Sequence, residues 1–257
     1  MESKYLLIGS RIMSFISVAP GLGGRQTPAA WKIGLGCWLV LVLGPKFGGS
    51  PGSPPLSADV AHFVVMVCRE AAVGMLIGFC TNLVLSVAAN AGWIIDQSMG
   101  IGMVNVIDPQ YGTAVPLMGN YLMLLGLVLW LGSNGHHLLL VGLDESFKVL
   151  PPGVWPTLDM DGVLKVCVTI TASAMGMGFS LAIPALGASL IVDVWLGLLS
   201  RSFPQLNAFV IGLPLKMLAV LGTLAASVQV LSTLGSWITA EMVRALRLLF
   251  AAALKGA

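Results

Sequence analysis

The stretch Val166–Val192 reads VCVTITASAMGMGFSLAIPALGASLIV and contains no Asp, Glu, Lys or Arg. About 20 helical residues cross a hydrocarbon core of ~30 Å, so this stretch is long enough to span a bilayer. Three further stretches lack those four residue types throughout: Ala71–Ile95, Pro109–Leu143 and Met217–Ala240. None of them alternates apolar and polar residues as the strands of a membrane barrel do. Because a segment in lipid must satisfy its own backbone hydrogen bonds, these stretches predict helices.

The composition of the whole chain also indicates a membrane protein. Only 9% of the 257 residues are charged, whereas 57% are hydrophobic, and the mean hydropathy is +0.93. A soluble domain carries about 25% charged residues, because its surface must face water. The net charge is only +2 and the basic residues are scattered singly, which gives no indication of nucleic-acid binding. We therefore predict an all-α membrane protein whose apolar surface faces lipid or partner subunits.

Proline and glycine divide the chain into helical segments. Gly48–Pro55 (GGSPGSPP) and Pro151–Gly162 are Pro- and Gly-rich connections, and Met99–Pro116 contains turn dipeptides. Pro184 and Pro214 lie inside apolar stretches, where they predict kinks or breaks. The helical segments predicted between these positions are Tyr5–Ala19, Ile33–Leu43, Asp59–Ile95, Leu117–Trp130, His136–Val149, Val163–Ser200, Leu206–Thr233 and Ser236–Leu254. We count about six spanning segments in one integral membrane domain that covers residues 1–257.

Ionisable residues inside apolar segments are candidate functional residues, because a charge there is costly. They are Arg11, Arg69, Glu70, Asp96, Asp193, Arg201 and Lys216. Arg69 and Glu70 are adjacent and diverge by ~100° on a helix, so they cannot pair well with each other. Asp193 and Arg201 are separated by ~12 Å along a helix axis, which is too far for a direct bond. Each therefore needs a partner from another helix or subunit. A proton relay and structural pairing both remain open, and structural pairing at helix ends or subunit contacts is favoured.

Glycine is the second signal, since the chain contains 31 glycines. In membranes, glycine lets helices approach closely, as in the GxxxG motif. Gly74 and Gly78 have that spacing, and Gly178 with Ala182 is a looser version of it.

The sequence contains no recognisable catalytic or metal-binding motif. HExxH, GxxxxGK[ST] and GxSxG are all absent, and the four cysteines form no CxxC. We therefore predict that the protein is not an enzyme and uses no cofactor.

Eight strings in order along the chain resemble the family of FliR and its counterparts in virulence type III secretion systems. They are RIxxFxxxAP from Arg11, GxxIG from Gly74, AGWIIDQSMG from Ala91, DPQYGTAVP from Asp108, NGHHLLL from Asn134, DESFKVLPPG from Asp144, LAIP from Leu181 and RSFPQLNAFVIGLPL from Arg201. The last string is the most specific, and its PQLN stretch favours the flagellar branch.

The resemblance implies a non-enzymatic channel subunit of the flagellar type III export gate. It implies helices arranged as hairpins that assemble with FliP and FliQ, and also with FlhB, in the bacterial inner membrane at the flagellar basal body. Unfolded export substrates would pass through the assembled pore. The loop around the family's DPxxG motif would be the plug of the closed channel. It maps to Met103–Val115 and contains Met103, Val104, Val106, Ile107, Asp108, Pro109 and Gly112.

Three alternatives stay open on the sequence. The first is a secondary transporter with a substrate site between helices broken at Pro184 and Pro214. The second is the equivalent subunit of a virulence secretion system. A membrane-embedded enzyme is the third, and the absence of motifs disfavours it.

Overall fold

The computed structural model of the chain describes residues 2–24, 27–47, 60–100, 116–153, 160–203 and 208–254. Eight helices and no strand occur in these ranges, which confirms the predicted all-α class. The helices are α1 (Glu2–Val18), α2 (Ala29–Phe47), α3 (Val60–Met99), α4 (Leu117–Gly132), α5 (Gly135–Val149), α6 (Met160–Ser202), α7 (Ala208–Ala226) and α8 (Val228–Leu254).

Three described helices, α2, α3 and α6, are long and apolar enough to cross a membrane. The pair α4 and α5, separated by a short break, would make a fourth if the two helices form one broken span. α7 is apolar but shorter over Val210–Ala226. The all-α membrane class is therefore supported, whereas the predicted number of about six spans is not confirmed.

Several helix boundaries differ from the predicted ones. α6 continues through Pro184, α7 through Pro214 and α2 through Pro45, although each ring removes one backbone donor. α2 is therefore longer than the predicted Ile33–Leu43. The segment predicted to run to Thr233 ends at Ala226 instead, and α8 begins after a single turn residue, Ser227. Proline thus marks helix ends less reliably here than in water, because neighbouring groups can satisfy the freed carbonyls.

The chain divides into two compact units, and α3, α6 and α8 each contribute residues to both. Unit 1 comprises Met1–Val84, Asn134–Thr171 and Thr239–Ala257. Its core includes one face of α1, on which Leu7, Ile8, Ile12, Phe15 and Ile16 are all buried. α2 packs on α1 with a narrow face, and its remaining apolar side chains are exposed.

Unit 2 comprises Leu85–Ser133 and Ala172–Ile238. Its buried positions come mainly from the second half of α3 and from α6, with contributions from α4, α7 and the start of α8. The fully buried side chains include Val87, Ala88, Ala91, Ile95, Leu122, Leu234 and Ile238. The expectation of one domain over 1–257 stays a prediction.

Candidate functional site

The segment predicted as a plug, Met103–Val115, lies outside the described residues. The helix ends that flank it are described, and they carry a buried polar arrangement centred on Asp96. Two further polar arrangements lie at Arg11 in unit 1 and at Asp193 in unit 2.

The first arrangement is the Arg11 cluster, which we define as Arg11, Glu70, Ser146, Phe147 and Gly153. Arg11 Nε donates to Glu70 Oε2 at 2.6 Å, and Arg11 Nη1 donates to the Ser146 carbonyl oxygen at 3.0 Å. The backbone N–H of Gly153 donates to Glu70 Oε1 at 3.3 Å. Both charged side chains are buried, at 1% and 6% exposure for Arg11 and Glu70. The ion pair therefore joins α1, α3, α5 and the turn after α5.

The aromatic ring of Phe147 covers the guanidinium of Arg11. The Arg11 Cζ atom lies 4.5 Å from the ring centroid, which is within the range of a cation–π interaction. Phe147 in turn stacks on Phe47 at the end of α2, with centroids 5.2 Å apart. Beside this stack, Lys46 pairs with Asp144 at 2.6 Å on the exposed side. The buried cluster is thus followed, through the Phe147–Phe47 stack, by an exposed ion pair.

Burying a charge pair costs several kcal/mol per ion unless the remaining donors and acceptors are also satisfied. Here both carboxylate oxygens of Glu70 accept a hydrogen bond, and among the described residues no buried side-chain nitrogen or oxygen lacks a partner. The cluster therefore joins α1, α3 and α5 through polar contacts in which both charged groups are paired.

Gly74 and Gly78 lie against α1 next to this cluster. A Cβ on Gly74 would collide with the backbone oxygen of Arg11 and with Ser14 Oγ. A Cβ on Gly78 would lie 3.1 Å from the Phe15 carbonyl oxygen, which is tighter than ordinary contact. The spacing seen in the sequence thus corresponds to a close backbone approach between α3 and α1.

The second arrangement centres on Asp96, near the C-terminal end of α3 in unit 2. Its Oδ1 accepts the backbone N–H of Met118 at 3.0 Å, and its Oδ2 accepts that of Gly119 at 3.0 Å. These N–H groups belong to the first turn of α4, whose N-cap residue, Pro116, provides no side-chain cap. Asp96 is buried, with 5% exposure. It therefore caps α4 from another helix.

Glycine permits the close approach on which this cap depends. A Cβ on Gly92 would collide with the Met118 carbonyl oxygen and would lie 2.5 Å from the Cα of Gly119. Gly100, which follows the last residue of α3, has a φ of +77°, a conformation that side-chain-bearing residues rarely adopt. α3 thus ends beside the start of α4.

The third arrangement is an ion pair in unit 2 between Asp193 of α6 and Lys216 of α7, with Oδ1 and Nζ 2.6 Å apart. The partner of Asp193 is therefore on another helix, and it is not Arg201. Arg201 is exposed in the last turn of α6, and none of the ion pairs between described residues includes it. The Asp193 side chain remains 54% exposed beside Val194 and Trp195, which are also exposed.

Sequence reasoning identified the charged members of these arrangements, but it did not predict which of them pair or which backbone groups complete them. Ser146 contributes a backbone oxygen, and Gly153, Met118 and Gly119 contribute backbone N–H groups. Backbone groups carry no residue-specific signal, so no motif could have marked them. The described residues also contain no group of three or more His, Cys, Asp or Glu side chains placed to hold a metal.

The sequence of the chain matches one family profile and several known proteins. Residues 3–242 match the profile of bacterial export proteins, family 1. The chain is 34% identical over 216 residues to the flagellar biosynthetic protein FliR of Bacillus subtilis (strain 168), covering 83% of this chain and 81% of that protein. It is 29% identical over 219 residues to FliR of Escherichia coli (strain K12), covering 84% and 80%. It is 31% identical over 162 residues to the secretion system apparatus protein SsaT of Salmonella typhimurium, covering 63% and 62%.

Proposed function

The chain belongs to family 1 of the bacterial export proteins, the family of FliR, and we propose that it is a non-enzymatic channel subunit of the flagellar type III protein export gate. In this role it assembles with FliP and FliQ, and with FlhB, in the bacterial inner membrane at the flagellar basal body. The gate passes unfolded export substrates, and the subunit needs no cofactor and binds no nucleic acid.

The observation that carries the proposal is an apolar surface too long for lipid alone. α6 has 43 residues, which corresponds to about 64 Å at 1.5 Å per residue. Exposed apolar side chains occur from its first turn, at Met160 with 71% exposure, through Trp195 with 67% to Phe203 with 58% just after its end. The charge-free part of α6, Val166–Val192, is about 40 Å long and can lie within a hydrocarbon core of ~30 Å when the helix is tilted. Exposed apolar side chains continue beyond the exposed charges at its two ends, Lys165 and Asp193. The remaining apolar length needs a cover of protein, as a multi-subunit gate provides.

The alternative of a secondary transporter is less well supported, because it required helices that are broken at Pro184 and Pro214. Transporter sites of that kind are formed by discontinuous helices, but α6 and α7 continue through Pro184 and Pro214. The virulence branch is less well supported than the flagellar one, because the match to SsaT covers 63% of the chain and the match to FliR of Bacillus subtilis covers 83%.

Co-purification tests the proposed assembly. The chain should elute from size exclusion in detergent as one particle with FliP-like and FliQ-like proteins when they are produced together. Produced alone, it should be polydisperse and thermally labile, because the exposed apolar length of α6 has no cover. A monodisperse, heat-stable monomer, together with no particle on co-production, would contradict the gate assignment.

The proposed plug is the segment Met103–Val115, whose apolar residues would seal the pore by excluding water. Deleting Asn105–Thr113 should leave assembly intact and make the gate leak ions or small solutes. Conductance, or entry of a small solute into cells that express the whole gate, measures this leak. Deletion of Pro51–Asp59, a connection of the same length, is the matched control and should not leak. An assembled Asn105–Thr113 deletion as tight as wild type would overturn the plug assignment.

A further inference from the structure

Asp96 accepts two hydrogen bonds from backbone N–H groups in the first turn of α4. The first turn of a helix leaves four backbone N–H groups without intrahelical partners. A side chain at the N-cap position normally accepts one of them, from the second or third helical residue. Here the N-cap is Pro116, which provides no side-chain acceptor, and the second and third residues, Met118 and Gly119, both donate to Asp96. The cap therefore comes from a residue that precedes the helix by more than 20 positions.

The electrostatics of this contact favour a carboxylate. The N-terminus of a helix carries the positive end of the helix dipole, so a negative side chain there is stabilising. Each of the two oxygens accepts one N–H at 3.0 Å, in a buried position where the bonds do not compete with water. Hydrogen bonds to a charged acceptor contribute about twice as much as bonds between neutral groups.

The bonds also hold together the two helix ends that flank residues 101–115. α3 ends at Met99, Gly100 follows with a positive φ, and Pro116 precedes α4. Because Asp96 holds Met118 and Gly119 against the end of α3, the last turn of α3 and the first turn of α4 lie side by side. The glycine contact at Gly92 keeps the two helices close enough for this cap.

We propose that Asp96 is a positioning residue that clamps the first turn of α4 to the end of α3, so that the two helix ends that flank residues 101–115 form a fixed base. This inference rests on the proposed function, because the value of a fixed base lies in aiming an apolar segment into the pore. The clamp itself concerns only described residues, and it can be tested without any measurement of export.

The test compares Asp96→Ala, Asp96→Asn and the control Asp161→Asn in the complete gate. Asp161 is an exposed carboxylate in the first turn of α6, so the control makes the same chemical change away from the clamp. Hydrogen–deuterium exchange of the peptide that contains residues 116–122 reads the clamp directly. Loss of both charge-assisted bonds in Asp96→Ala should speed exchange of the Met118 and Gly119 amides about tenfold or more. Asp96→Asn should be intermediate, because one amide oxygen can still accept, and Asp161→Asn should match wild type.

The second measurement is the leak of ions or small solutes through the assembled gate. It tests whether the clamp also positions the proposed plug. Faster exchange together with a leak in Asp96→Ala, and a smaller effect of both kinds in Asp96→Asn, is the expected result. Faster exchange without a leak would uphold the clamp and overturn the idea that it aims a plug. Unchanged exchange in Asp96→Ala would overturn the clamp itself. Failure of even Asp96→Asn to assemble would also overturn it, because the carboxylate would then be needed for folding rather than for placing the connection.

Discussion

Arg11→Ala is expected to prevent stable assembly of the gate. The substitution leaves the carboxylate of Glu70 buried beside a cavity, with only the Gly153 N–H as a partner. Breaking a buried ion pair by removing one partner typically costs about 3–5 kcal/mol, which is a large part of the total stability of most folded domains. Loss of the ring contact with Phe147 adds to this cost. The yield and the thermal midpoint of the co-purified particle measure the effect.

A double-mutant cycle separates the charge effect from the packing effect. Arg11→Met with Glu70→Leu replaces the pair by apolar side chains of similar length, and such replacements of buried pairs are often neutral or stabilising. The double variant should therefore recover much of the particle lost in Arg11→Ala. Lys46→Ala is the comparison for an exposed pair, and it should change stability by less than about 1 kcal/mol, because the Lys46 side chain is 54% exposed. A wild-type yield of Arg11→Ala would show that the ion pair is dispensable.

Gly74→Ala is expected to disrupt the packing of α3 on α1, whereas Gly34→Ala should be tolerated. Both substitutions place one methyl group on a helical glycine and raise helix propensity by the same amount, up to ~1 kcal/mol. At Gly74 the methyl group would collide with the Arg11 backbone oxygen, which cannot move away as a flexible side chain could. At Gly34 nothing lies within 4 Å of the new methyl group. Overpacking of this kind costs about 1–3 kcal/mol.

The thermal midpoint of the assembled particle should therefore fall for Gly74→Ala and stay level or rise for Gly34→Ala. Since the two variants share every property except the surroundings of the new Cβ, their difference reports the close contact alone. Equal midpoints would show that α1 and α3 are not in backbone contact at Gly74.

The helices and the membrane class could be predicted from the sequence, because the length of a stretch without charged residues can be read from that stretch alone. The windows Ala71–Ile95 and Val166–Val192 lie within α3 and α6, respectively. The prolines were less informative, since Pro184 and Pro214 interrupt neither helix. A proline removes one donor, and whether its helix then breaks depends on the groups that pack around it, which local sequence does not contain.

The candidate site was predictable only in part. Arg11, Glu70, Asp96 and Asp193 were recognisable because charge in an apolar segment needs a partner. The partners were not recognisable, because pairing is decided by packing between distant segments. Asp193 pairs with Lys216 on the next helix. The two residues are far apart in sequence, and no local pattern predicts this pair. Asp96 meets two backbone amides that any residue type could supply.

The order of synthesis gives the Arg11 cluster a further consequence. Glu70 is made 59 residues after Arg11, and Ser146 is made 135 residues after it. At about 5–20 residues per second, the ribosome needs about 3–12 seconds to supply the carboxylate and about 7–27 seconds to supply the carbonyl oxygen. During this interval a hydrated position of the guanidinium is favoured, because an unpaired arginine at the centre of a bilayer costs about 2.5–3.5 kcal/mol even on the lowest scale. We therefore expect α1 to reach its final position only after α3 has been made, because Glu70 of α3 supplies the partner charge of Arg11.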